Sequence, residues 1–217
     1  AITDAEFAQI ERAWHRHSAL LFRGQKIDDD DLLAFSRRLG DLDTPPNQER
    51  GRQTPIGYPD IYVVSNVLDE KGEPIGALGA GEAVWHTDMS YSQTIAFLNV
   101  LHALKVPVRD GIPLGSTEFL DMCAAFDDLP AAMKTKIEGR TATHDFNKFW
   151  EEMLKRPGTP RKPLTEEQRR AKPPVSHPIV LTHPISGRKA LYCNVGYVTK
   201  IDNMAKAESD EILDVLF

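Results

Sequence analysis

The 217 residues include 41% hydrophobic and 27% charged side chains, a globular composition well away from chains too polar and too charged to fold. A net charge of −6 argues against a nucleic-acid partner, which would call for an excess of Lys and Arg. Cys123 and Cys193 stand too far apart for a disulfide framework or zinc knuckle, no apolar run reaches the roughly 20 residues of a membrane span, and Ala1 to Asp4 show no leader, so the expectation is a cytoplasmic protein.

Thr3-Asp4-Ala5-Glu6 reads as a capping box, and Phe7, Ile10 and Trp14 follow at helical spacing. Ala19 to Phe22 reads as a short strand entering the Arg23-Gly24-Gln25 turn. Asp28 to Asp31 supply the N-cap and first-turn acids of a second helix through Leu39, closed by Gly40. The acids lack the alternating spacing and twelfth-position Glu of a calcium loop.

Thr44 to Pro59 reads as an irregular loop, Ile61 to Val64 as a strand, and Glu70 to Gly81 as a glycine-rich connection. Gly76 to Gly81 has neither the spacing nor the following helix of a dinucleotide fingerprint. Val84 to Tyr91, Thr94 to Leu104 and Ser116 to Phe119 are strand candidates. Asp121 to Asp128 and Pro130 to Ile137 read as helices, the second with Pro at its start and Gly139 past its end.

Arg140 to Lys172 breaks the pattern, carrying nine basic and five acidic residues. It reads either as a solvated excursion or, over residues 140–174, as a lid or insertion whose positive field favours an anionic substrate. Val180 to Thr182 and Lys189 to Cys193 form a predicted hairpin, and Ala207 to Phe217 a final helix. Short strands separated by loops point to a β-sandwich or barrel decorated by helices.

The chemistry centres on His86-Thr87-Asp88. On a strand, positions two apart share a face, so an imidazole and a carboxylate can meet at one point inside a barrel. Imidazole plus carboxylate suits Fe(II), and a further His would complete a facial triad with open positions for substrate and O2. The alternative is a buried His hydrogen-bonded to a neighbouring acid.

The surrounding segments carry more. Leu21-Phe22-Arg23-Gly24-Gln25, Phe35 to Leu42, Trp85 to Asp88 with Ser90-Tyr91, Gly115 to Phe119 leading into Asp121 to Phe126, and His183 to Tyr192 resemble, in order and spacing, the taurine dioxygenase and 2,4-dichlorophenoxyacetate dioxygenase family. The resemblance spans nearly the whole chain. It implies a mainly β fold with helices (α+β), a double-stranded β-helix or jelly roll in one dioxygenase-like domain over residues 1–217. It further implies His86 and Asp88 as iron ligands, Thr117 as the hydroxyl on the distal carboxylate of 2-oxoglutarate, and Trp85 as barrel packing. The cofactors would be Fe(II), 2-oxoglutarate and O2, and the reaction hydroxylation of a small, anionic substrate with release of succinate and CO2. A homo-oligomer fits the family's habit.

The family's second histidine ligand and its 2-oxoglutarate-binding arginine have no match up to Phe217, and an N-terminal strand is also missing. The expectation is a domain incomplete at both ends, binding iron weakly and not turning over. His102, His144, His177 and His183 are not favoured as the missing ligand: His102, on a predicted strand, could approach the site, His177 and His183 read as structural or surface, and His15 and His17 as surface. The competing readings are a jelly-roll binding protein without a complete metal triad, and a hydrolase or isomerase using the His/Asp pair without 2-oxoglutarate.

Overall fold

The computed structural model describes residues 2–43, 54–73, 75–78, 84–156 and 162–217, with the backbone alone at 77–78. The chain forms two compact units. One comprises the first twenty residues, Val84–Leu98 and Gly115–Phe217; the other comprises Leu21–Ala83 and Asn99–Leu114.

In the first unit, α1 (Asp4–His17) begins on the expected capping box: Thr3 Oγ1 accepts from the Glu6 amide at 3.3 Å, and Glu6 Oε2 accepts from the Thr3 amide at 2.8 Å. In the second, α2 (Asp29–Arg37) starts at Asp28, whose carboxylate accepts from the Asp31 amide at 2.9 Å. Both helices exist because short polar side chains satisfy amides that the first turn leaves unpaired.

The second unit has two small sheets. β1 (Val64–Ser65) pairs in parallel with β2 (Ala77–Leu78). A Cβ on Gly76 would lie 2.8 Å from the Val63 carbonyl, so only glycine permits that approach. β3 (Val108–Arg109) and β4 (Ile112–Pro113) form a hairpin across Asp110-Gly111. Both turn residues have positive φ, 51° and 79°, as a type I′ turn requires.

The core of the first unit is built on a sheet of order β6-β5-β9, all antiparallel: β5 (Thr141–His144), β6 (Val175–Pro178) and β9 (Val198–Ile201). Beside it lies the predicted hairpin, β7 (Val180–Thr182) with β8 (Lys189–Leu191), in the register Val180 to Leu191. Helices α3 (Met122–Asp128), α4 (Ala131–Ile137) and α7 (Lys206–Leu216) add apolar side chains to the cluster. Ile137, Ile179, Val198 and Ile201 are almost wholly buried, each contributing about 1.5–3 kcal/mol. The Ser209 hydroxyl accepts from the Ile201 amide at 2.8 Å and ties α7 to β9.

Opposite-facing residues of β5 are polar. Thr141 and Thr143 donate to the two carboxylate oxygens of Asp202, at 2.6 and 2.5 Å. Burial alone would raise the Asp202 pKa, but bonds from Thr141, Thr143 and Ser176 outweigh it and hold the carboxyl below its ordinary range.

Several expected elements differ. Arg140 to Lys172 is not irregular: besides β5 it contains α5 (Phe146–Leu154) and α6 (Glu166–Ala171), and it buries Ala142, His144, Phe149, Met153 and Leu164. Residues 157–161, its Pro- and Gly-rich part, lie outside the described residues, as do 44–53 of the early loop and Gly79 to Gly81. Among the described residues, the strands expected at 19–22, 84–91, 94–104 and 116–119 carry no ladder, and of Ile61 to Val64 only Val64 is in a strand. Strand-like sequence becomes a strand only where a partner accepts its backbone bonds. Leu21, Leu101, Leu104 and Phe119 accordingly remain exposed.

Candidate active site

Val84 to Tyr91 runs without regular structure to Thr87 and then turns from Asp88 to Tyr91. Strand alternation therefore does not bring His86 and Asp88 together; the turn does. Met89 sits at φ 58°, a left-handed conformation uncommon outside glycine and asparagine. The Ser92 amide donates to the Met89 carbonyl at 2.9 Å. This reversal folds the Asp88 carboxylate back toward the ring two residues earlier.

His86 Nδ1 lies 2.7 Å from the Val84 carbonyl, and Nε2 lies 3.0 Å from Asp88 Oδ1. A carbonyl can only accept, so Nδ1 carries the proton, and in the neutral ring Nε2 presents a lone pair. That lone pair faces a carboxylate oxygen, another acceptor. Two acceptors at this distance need a cation between or beside them, either a proton or a metal ion. Two donors bound at right angles to one ion at about 2.1 Å each would stand about 3 Å apart, so the pair fits a metal without rearrangement. The backbone carbonyl on Nδ1 is the outer contact that metal-bound histidines commonly have.

The pair rests on an aromatic and polar support. The Phe149 and Tyr197 rings each lie 6.4 Å from the His86 ring, Phe149 and Tyr197 are 4.9 Å apart, and Tyr91 is 5.0 Å from Tyr197. Phe149, Met153 and Tyr197 form a second buried cluster, packed with Val84, Tyr91 and Phe146. Ser90 is fully buried, and its hydroxyl accepts from Asn194 Nδ2 at 3.2 Å.

A cavity of about 470 Å³ adjoins this support. Val84, Phe149 and Met153 give it apolar lining, and among the described residues Lys148, Lys155 and Arg156 outnumber one acid, Glu152. The Lys148 ammonium donates to the Val195 and Val198 carbonyls at 2.8 and 2.6 Å. Burial holds its pKa below the usual lysine range.

Of the predicted site residues, the structure brings His86 and Asp88 together. Thr117 belongs to the same unit, exposed on the irregular stretch before α3. Trp85, expected in the packing, is 53% exposed. His102 lies on a segment without regular structure rather than a strand. His144 and His177 are buried against Tyr192. His15, expected at the surface, is half-buried with its ring against Trp14 and Nε2 enclosed. Among the described residues, no group of three or more His, Cys, Asp or Glu gathers as a complete metal site. Sequence reasoning missed Ser90, Asn194 and Gly196; the Asn-x-Gly spacing, a turn signal, was the available clue to the last two.

The family model described as "Taurine catabolism dioxygenase TauD, TfdA family" matches residues 1–217. The chain is 33% identical over 221 residues to the alpha-ketoglutarate-dependent 2,4-dichlorophenoxyacetate dioxygenase of Burkholderia sp. (strain RASC), covering 98% of this chain and 70% of that protein. It is 30% identical over 225 residues to pentalenolactone F synthase of Streptomyces avermitilis, covering 100% of this chain and 71% of that protein. Among solved structures, AAD-2 in complex with Mn(II) and N-oxalylglycine superposes with a TM-score of 0.70 at 26% identity, covering 99% of this chain and 72% of that one.

Fold and relatives together define an Fe(II)- and 2-oxoglutarate-dependent dioxygenase of the jelly-roll type. The chain belongs to the taurine catabolism dioxygenase TauD, TfdA family.

Proposed function

We propose that the protein hydroxylates a small anionic organic molecule, with His86 and Asp88 as two of its iron ligands and Thr117 donating its hydroxyl to the distal carboxylate of 2-oxoglutarate. The observation that carries this reading is the 3.0 Å approach of His86 Nε2 to Asp88 Oδ1, with Nδ1 committed to the Val84 carbonyl. Iron and 2-oxoglutarate, when bound with O2, supply the oxidising power for C–H hydroxylation and yield succinate and CO2.

The chain's own contribution is placement and charge. The Val84 carbonyl fixes the imidazole's rotation and tautomer, and the Asp88 carboxylate offsets positive charge beside it. Phe149, Tyr91 and Tyr197 exclude water from one side of the imidazole. The cavity's excess of cations and its apolar lining suit an aromatic or aliphatic acid, and a relative named as a 2,4-dichlorophenoxyacetate dioxygenase supports that class.

Aryloxyacetates and small sulfonates, offered with Fe(II), ascorbate and 2-oxoglutarate, test the proposal through succinate released per substrate consumed. One of these acids should stimulate succinate formation in the wild-type protein carrying its complete set of iron ligands, and His86→Ala and Asp88→Ala should abolish it. Undiminished stimulation in either variant would overturn the ligand assignment.

A further inference from the structure

We infer that the turn at Asn194 to Tyr197 is the positioning device of the metal-binding pair, and that Ser90, Asn194 and Gly196 set the separation of His86 from Asp88. The inference rests on the reading of those two residues as ligands.

The segment carrying the pair has turn bonds of its own but no ladder bonds among the described residues. It contains a left-handed Met89, and its Ser90 amide reaches the Thr87 carbonyl only at 3.4 Å. A conformation of this kind persists when its surroundings over-determine it. The Asn194 turn supplies that determination at two points.

The first point is polar. Asn194 Nδ2 donates to the buried Ser90 hydroxyl at 3.2 Å, across 104 residues of sequence. Its Oδ1 accepts from the Tyr197 amide at 3.0 Å, and its backbone carbonyl accepts from the Val198 amide at 3.1 Å. Asn194 is 8% exposed and Ser90 is completely buried, so losing either partner strands a polar group away from water. Through Val198 the turn continues directly into β9, the edge of the core sheet.

The second point is steric. A Cβ on Gly196 would fall 3.2 Å from the His86 Cβ, 3.3 Å from Asn194 Oδ1 and 3.5 Å from the Trp85 carbonyl. A side chain there would press the ligand histidine and the Asn194 amide by a few tenths of an ångström. Tyr197 completes the clasp, its ring 6.4 Å from His86 and 5.0 Å from Tyr91, bracketing both ends of the turn. Backbone at 194–197 therefore fixes where an imidazole and a carboxylate at 86 and 88 stand.

Mn(II) titration of the full-length protein, followed by electron paramagnetic resonance well below the unfolding midpoint, tests this without turnover. Gly196→Ala and Ser90→Ala should each weaken Mn(II) binding about tenfold, the lower end of the range seen when outer contacts of a metal site are removed. Leu33→Ala, on the buried face of α2 in the other compact unit, should lower the unfolding midpoint yet leave Mn(II) affinity unchanged, separating positioning from stability. Loss of Mn(II) binding in His86→Ala with unchanged affinity in both Gly196→Ala and Ser90→Ala would overturn the positioning role; Ser90→Ala decides alone should Gly196→Ala fail to fold. Wild-type affinity in His86→Ala would instead remove the ligand reading beneath it.

Discussion

His86 Nε2 and Asp88 Oδ1 face each other at 3.0 Å while His86 Nδ1 is held 2.7 Å from the Val84 carbonyl. With the proton on Nδ1, the contact is between two acceptors and calls for a cation.

Asp88→Asn separates the metal from the local strain. The amide keeps the carboxylate's shape and can donate to an unprotonated Nε2, so the contact no longer needs a cation. We expect Mn(II) affinity to fall by at least about a hundredfold, consistent with loss of a charged ligand, while the unfolding midpoint of the metal-free protein stays equal or rises. A lower metal-free midpoint would mean that Nε2 is protonated and paired with Asp88 in the resting protein.

His144 makes the first unit acid-sensitive. It is completely buried, its two ring nitrogens lack hydrogen-bond partners, and its ring lies against Tyr192 and His177. Burial, reinforced by His177 and partly opposed by Asp202, pulls its pKa down to about 4. The unfolded chain, near 6.5, binds the proton first, so stability is full above pH 6.5 and falls between 6.5 and 4. Urea unfolding should show a loss of about 2 kcal/mol from pH 7.5 to 5 attributable to this group. His144→Phe, which keeps a ring against Tyr192, should remove that component; an unchanged pH profile would refute it.

The cavity's cations should select the substrate rather than the cosubstrate. Lys155 already pairs with Glu152 at 2.5 Å, and their exposed contact contributes little to stability. Arg156→Ala should raise KM for an aryloxyacetate about tenfold, equivalent to ~1.4 kcal/mol of binding, and leave KM for 2-oxoglutarate within twofold. An equal rise in both would detach this cavity from substrate binding.

Core packing offers a check on the fold. Ile201 is 1% exposed in β9, one strand from the turn that backs the site. Ile201→Ala should cost about 2–5 kcal/mol, read as a lower urea midpoint. A cost below 1 kcal/mol would show that the sheet is not packed as described.

The elements legible in the sequence were those with local signals. Thr3 and Asp28 announced α1 and α2, Asp121 announced α3, and the turn at Pro184 to Gly187 announced the β7–β8 hairpin. The Asp110-Gly111 pair carries an equally clear turn signal for the β3–β4 hairpin. β5 was hidden because its inward residues are Ala142 and His144 and its outward ones Thr141 and Thr143, so the alternation is real but not hydrophobic. The strands expected at 94–104 and 116–119 had strand-like composition, and no ladder partner stands beside them among the described residues.

The site divides in the same way. His86 and Asp88 were identified from their residue types, spacing and family resemblance, yet a turn with left-handed Met89 unites them rather than a pleated strand. The Ser90 to Asn194 contact joins positions 104 apart, and no local pattern encodes such a pairing. Thr117 rests on the resemblance alone, and no hydrogen bond among the described residues joins it to the pair.

The most direct measurement is the visible metal-to-ligand charge-transfer band formed on anaerobic addition of Fe(II) and 2-oxoglutarate to the full-length protein. The account predicts a band in the wild type that disappears in both His86→Ala and Asp88→Ala. A band of undiminished intensity in either variant would contradict the claim that these two side chains jointly hold the iron.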